Sequence, residues 1–99
     1  MTAIAKEDID LDSTVLLPFD WSHRIGSATI ATKQFTVSPE NGVTVADSTI
    51  DNTTKKVTVK VTPNAAVVSL GDTVRLTNRI TTSAGEELDL SLDLSITET

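Results

Sequence analysis

Residues 73–97 read TVRLTNRITTSAGEELDLSLDLSIT, and this stretch decides the fold. From Leu88 to Ile96 every second residue is apolar, and each residue between them is Asp or Ser. A period of two is typical of a β-strand with one buried and one solvated face. A helix would scatter these leucines around its circumference, so the pattern outweighs the helix propensity of Leu. The C-terminal segment is therefore predicted to be a strand.

The segment before it repeats the pattern and predicts a hairpin. Val74, Leu76 and Ile80 share one face with Asn78, and the polar residues 82–86 follow, with Gly85 available for a positive φ. Such a loop between two alternating runs is typical of a β-hairpin. Asn78 is unusual on an inward face. We expect either that it hydrogen-bonds a backbone group inside the protein or that the strand bends there.

The polar faces of the two strands carry complementary charges. Arg75 and Arg79 alternate with threonines on the first strand, and Asp89, Ser91 and Asp93 alternate on the second. Cross-strand Arg–Asp pairing explains both rows as one solvated sheet face. The alternative is that this face is a surface for a partner protein.

Further alternating runs extend the pattern over most of the chain. Residues 43–50 and 55–62 flank the turn-forming residues 51–54 and predict a second hairpin. Residues 27–37 change phase near 32–34, which indicates a β-bulge. Residues 14–21 contain Pro18, which confines that strand to a sheet edge or a bulge.

The fold predicted from these runs is an all-β, immunoglobulin-like antiparallel β-sandwich of six to seven strands. A small barrel is the competing architecture. The sandwich is expected to span residues 14–99. Residues 1–13 are charged and lack a clear period, so they are expected to form a flexible N-terminal arm.

Composition excludes several classes of function. The 99 residues have a net charge of −6, which disfavours nucleic-acid binding. There is no cysteine and only one histidine, which argues against disulfides, thiolate metal sites and cysteine nucleophiles. No apolar run is long enough for a signal peptide or a membrane span. We expect no enzyme activity, no cofactor and no metal.

The N-terminal segment carries the only metal-like spacing. Asp8, Asp10 and Asp12 have the D-x-D-x-D spacing that begins a calcium loop, but Ser13 stands where that loop needs Gly and Phe19 where it needs Glu. A solvated charge cluster is the better interpretation.

Several short segments resemble one family. They are residues 6–7 (KE), 17–22 (LPFDWS), 25–30 (IGSATI), 35–37 (FTV) and the stretch 74–85. In this order they resemble small proteins of tailed bacteriophages and prophages, described as fibre–tail adaptors or immunoglobulin-like virion proteins. The chain lacks a second Trp that such proteins often carry shortly after the DWS element.

The resemblance implies a non-catalytic virion structural protein, made in the bacterial host cytoplasm, that joins tail or fibre components to the particle. One alternative is a capsid decoration protein bound to the major capsid protein. Another is a surface glycan-binding module, although three aromatic residues supply a poor sugar platform. The expected partners are other virion proteins, with a homo-oligomer possible. The candidate partner-binding residues are Lys6, Asp8, Asp10, Asp12, Arg75 and Arg79.

Overall fold

The structure, a computed structural model, describes residues 4–97, with side chains from Glu7 to Thr97. Seven strands account for most of this range: β1 Ile4–Asp10, β2 Val15–Asp20, β3 Ile30–Ser38, β4 Val43–Asp51, β5 Lys56–Pro63, β6 Thr73–Thr82 and β7 Glu87–Thr97. None of the described residues belongs to a helix that could cross a membrane.

The strands form two sheets. The four-stranded sheet has the order β1-β7-β6-β3, and the three-stranded sheet has the order β2-β5-β4. The all-β sandwich architecture is confirmed. The expectation of a purely antiparallel fold was wrong at one place, because β1 pairs with β7 in parallel. β1 and β2 lie in different sheets, so no hairpin forces β1 to run antiparallel to its neighbour.

Residues 4–10 were expected to belong to an arm outside the sandwich, and the structure places them in the four-stranded sheet. Ile9 pairs with Ile96 in the ladder, and its side chain is 2 % exposed. The sequence of this strand shows no clear alternation, because Ile9 is the single large apolar residue among the acids Glu7, Asp8 and Asp10. Residues 1–3 of the expected arm lie outside the described residues.

The core lies between the two sheets and follows the period of two. Val57, Val59 and Val61 of β5 are fully buried. They belong to one apolar cluster with Leu76 and Ile80 of β6, and the same cluster includes alternate residues of β7. Burial of these branched side chains is the main stabilising contribution to a sandwich of this size.

The predicted hairpins and irregularities are confirmed. β4 pairs with β5 and β6 with β7, in both cases antiparallel, and Gly85 has a φ of 86° in the second loop. Pro18 lies on β2, an edge strand. The register shift of β3 falls between Ile30 and Thr32, slightly earlier than the sequence indicated.

A buried hydrogen-bond chain connects the sheets. Trp21 follows β2, and its indole Nε1 donates to Oδ1 of Asn78 on β6 at 2.9 Å. The Nδ2 of Asn78 donates to the carbonyl of Gln34 on β3 at 3.1 Å. Trp21 and Asn78 are both fully buried. Of the two alternatives for Asn78, the backbone hydrogen bond is therefore the one observed, with the indole as a second partner.

Candidate partner-binding face

The outward side of the four-stranded sheet is a flat polar surface, here called the outer face. Alternation along each strand sends the polar residues between the core positions to this side. It is formed by Asp8 and Asp10 of β1, Asp89, Ser91, Asp93 and Ser95 of β7, Arg75, Thr77 and Arg79 of β6, and Gln34 and Thr36 of β3. Two of the partner-binding candidates, Arg75 and Arg79, lie at its centre.

The β6–β7 register places each arginine directly opposite an aspartate. Arg75 is paired with Asp93 through Nε–Oδ1 at 2.9 Å and Nη2–Oδ2 at 3.3 Å. Arg79 is paired with Asp89 through the same atoms at 2.7 and 3.0 Å. Such two-bond pairs fix the plane of the guanidinium group. The cross-strand pairing predicted from the sequence is confirmed.

Two further contacts link polar side chains between and beside the two ion pairs. Thr77 and Ser91 share a hydroxyl hydrogen bond of 2.8 Å, midway between the arginines. The Nη1 of Arg79 also lies 3.7 Å from Oε1 of Glu87. The polar groups at the centre of the outer face are therefore held by one another before any partner arrives, so less side-chain entropy is lost on binding.

The pairing favours the charged forms of both partners. The hydrogen bond from Arg79 lowers the pKa of Asp89, and the hydrogen bond to Asp89 raises the pKa of Arg79. The hydrogen bond with Asp93 likewise raises the pKa of Arg75. Both arginine side chains remain half exposed. Each guanidinium group is therefore held beside an aspartate while part of it stays exposed to solvent.

A shallow depression of about 180 Å³ lies on the outer face beside Arg79. Gln34 and Thr36 of β3 form one wall, and Thr77, Arg79 and Asp89 form the rest. Gln34 and Thr36 were not among the residues predicted from the sequence. Their positions opposite Arg79 and Thr77 depend on the pairing of β3 with β6, which are far apart in the chain.

The N-terminal candidates divide between the sheet and a turn. Asp8 and Asp10 lie on β1, and Lys6 occupies the backbone register position beside Asp93, although its side chain is outside the described part. Asp12 lies in the turn after β1, where its N–H donates to Oδ1 of Asp10 at 2.8 Å. The structure thus brings five of the six candidates onto one sheet and leaves Asp12 at its end.

All three aromatic side chains pack inside the sandwich. Trp21 is fully buried and Phe19 is 2 % exposed. Phe35 is partly buried, and its ring packs against Phe19 in a tilted arrangement at a centroid distance of 6.0 Å. Arg24 lies 5.9 Å from the Trp21 ring. The aromatic rings therefore join the two sheets, and the glycan-binding alternative gains no support from them.

The described residues form a small all-β protein with two ion pairs fixed on the outer face of one sheet. Residues 10–95 match the sequence model of the family described as "Podophage GP4 fiber-tail adaptor protein gp77". The chain belongs to this family. A search of curated proteins found no match. Membership makes the chain a structural adaptor of the phage virion, as the resemblance in its sequence implied.

Proposed function

We propose that this protein connects a tail component to a fibre component of the particle and that the outer face makes one of these contacts. The family match over residues 10–95 carries the adaptor role. The two fixed Arg–Asp pairs support the choice of surface, because arginines held in place are frequent anchors of protein interfaces.

The expected partner surface is polar and presents uncharged acceptors such as backbone carbonyls, because aspartates outnumber arginines on the outer face. The exposed parts of the Arg75 and Arg79 guanidinium groups can donate further hydrogen bonds, and the depression beside Arg79 has room for one small side chain. Thr36 and Gln34 add hydroxyl and amide groups to its rim. This pattern of few fixed charges surrounded by short polar side chains gives specificity through hydrogen-bond geometry.

The test is association with purified tail and fibre proteins of the same phage, each offered separately. A chain with Arg75→Ala and Arg79→Ala is expected to bind one of them about tenfold or more weakly, the loss typical of interface anchors. The matched control is Lys60→Ala, since Lys60 forms an exposed ion pair with Asp47 at 3.1 Å on the opposite sheet. This control is expected to bind normally.

Two results would overturn parts of the proposal. Normal binding by the double arginine variant would show that the outer face does not make the contact. Binding to the major capsid protein, with none to tail or fibre proteins, would replace the adaptor role by capsid decoration.

A further inference from the structure

The sandwich has four edge strands, and three of them are guarded against pairing with another strand. β2 carries Pro18, which lacks an N–H. β4 is interrupted by a register shift between Ala46 and Thr49, with a φ of 50° at Asp47. β1 carries three acids, Glu7, Asp8 and Asp10, which guard it against a second acidic edge but not against a basic one. Prolines, bulges and charges are the usual means by which edges avoid association.

β3 is the exception. After the register shift near its start, residues 32–38 pair regularly with β6 and contain no proline and no acid. The start of the strand is covered, because Oδ1 of Asn52 accepts from the Ile30 N–H at 2.8 Å and Nδ2 of Asn52 donates to the Ile30 carbonyl at 3.2 Å. The open edge therefore begins after this capped residue.

The orientation of the open edge follows from Gln34. The N–H of Thr82 on β6 donates to the Glu86 carbonyl on the β7 side, so the backbone polar groups of Thr82 and of every second residue before it face β7. Those of Arg79 therefore face β3, and those of its register partner Gln34 face β6, where the Gln34 carbonyl also accepts from the Asn78 side chain. In an antiparallel ladder, adjacent residues present these groups to opposite sides. Lys33, Phe35 and Val37 therefore direct their N–H and C=O groups outward, away from β6. No strand among residues 4–97 covers this side of β3.

The two edges of the four-stranded sheet match in length and oppose in charge. β1 is seven residues long, and its single lysine and three acids give it a formal charge of −2. Residues 32–38 are also seven, and Lys33 alone gives them a charge of +1. Two β1 edges therefore repel each other, whereas a β1 edge and a β3 edge attract each other.

We propose that copies of this chain associate head to tail, with the β1 edge of one copy added to the β3 edge of the next. β1 and β3 run in the same direction, since β1 is parallel to β7 and two antiparallel steps lead from β7 to β3. Copies repeated along the sheet therefore pair these strands in parallel. Such a heterologous contact forms a ring where the rotation between copies closes and a filament where it does not.

This inference goes beyond the proposed adaptor function and does not depend on it. The edge contact uses backbone groups of β1 and β3 and leaves Arg75 and Arg79 exposed on the outer face. A protein that stays monomeric could still be an adaptor, so failure of the inference is distinguishable from failure of the proposed function.

Sedimentation velocity over a range of protein concentrations tests the proposal. The unaltered chain is expected to form species larger than dimers. Lys33→Glu, or Glu7→Lys with Asp8→Lys, is expected to weaken association about tenfold or more, because like charges then meet at the edge. Lys60→Glu, which changes the net charge by the same amount as Lys33→Glu but on the other sheet, is expected to associate normally. Circular dichroism verifies the fold of each variant.

Combining the three substitutions in one chain provides the decisive variant. β1 then carries +2 and residues 32–38 carry −1, so attraction returns with reversed sign, and association is expected to recover. A monomer at every concentration, a closed dimer only, insensitivity to the edge charges, or no recovery in the combined variant would each overturn the proposal.

Discussion

Asn78→Leu is expected to destabilise the protein strongly, although the two side chains are similar in size. The substitution removes the acceptor of the Trp21 indole N–H, which is fully buried. An unsatisfied buried donor costs about 1–3 kcal/mol, and the lost hydrogen bond to Gln34 adds about 0.5–1.5 kcal/mol. We expect the free energy of unfolding to fall by about 2–4 kcal/mol.

A double-mutant cycle separates the hydrogen bond from packing. Trp21→Phe alone leaves Asn78 without its donor and also creates a cavity. In the chain with both substitutions no polar group of this pair is left unsatisfied, so its loss should be smaller than the sum of the single losses. The expected coupling is about 1–3 kcal/mol, at the upper end of values for contacting residues.

Urea denaturation of the four chains, followed by far-UV circular dichroism, measures this coupling. Fluorescence is unsuitable because Trp21 is the sole tryptophan. Losses that add to within about 0.5 kcal/mol would refute the reasoning, since additivity is the behaviour of independent sites. The Trp21–Asn78 bond would then contribute nothing measurable to the connection between the sheets.

Three further results are expected. Ile9→Ala should lower the free energy of unfolding, measured by urea titration, by about 2–4 kcal/mol, because Ile9 is only 2 % exposed. Leu16→Ala, at a 62 % exposed position, should change it little. Equally small effects of both substitutions would favour an N-terminal arm outside the fold. Gly85→Val should cost about 1–2 kcal/mol because the φ there is 86°, and an unchanged melting temperature would contradict this. The lowered pKa of Asp89 contributes stability that is fully present above about pH 4, the ordinary pKa of an aspartate, and is lost as the pH falls through the lower pKa of the folded state. In an acid titration, Asp89→Asn should therefore lose less free energy of unfolding than the unaltered chain. Identical profiles would exclude this contribution.

Period-two patterns were sufficient to predict most strands. The alternation of Leu88–Ile96 and of Val57, Val59 and Val61 sets one buried face per strand, and a slip of one residue would expose that face. The same logic predicted cross-strand pairing of arginines with aspartates, and the register of the hairpin makes the pairs Arg75–Asp93 and Arg79–Asp89. Local sequence was therefore sufficient to predict both hairpins and the Arg–Asp pairing at the centre of the outer face.

Long-range pairings were not predictable in this way. Nothing in residues 4–10 indicates a parallel partner, and the burial of Ile9 depends on the distant Ile96. The position of Gln34 beside Arg79 depends in the same way on β3 meeting β6. The inward Asn78 signalled a buried polar contact, but the identity of its second partner, Trp21, required the two sheets to be packed together.

Cross-linking of the purified phage particle, with mass-spectrometric identification of partners and copy number, tests the adaptor role most directly. The predicted result is cross-links to tail or fibre proteins, at a copy number matching that junction and far below that of the major capsid protein. Cross-links to the major capsid protein, at a comparable copy number, would contradict the adaptor role.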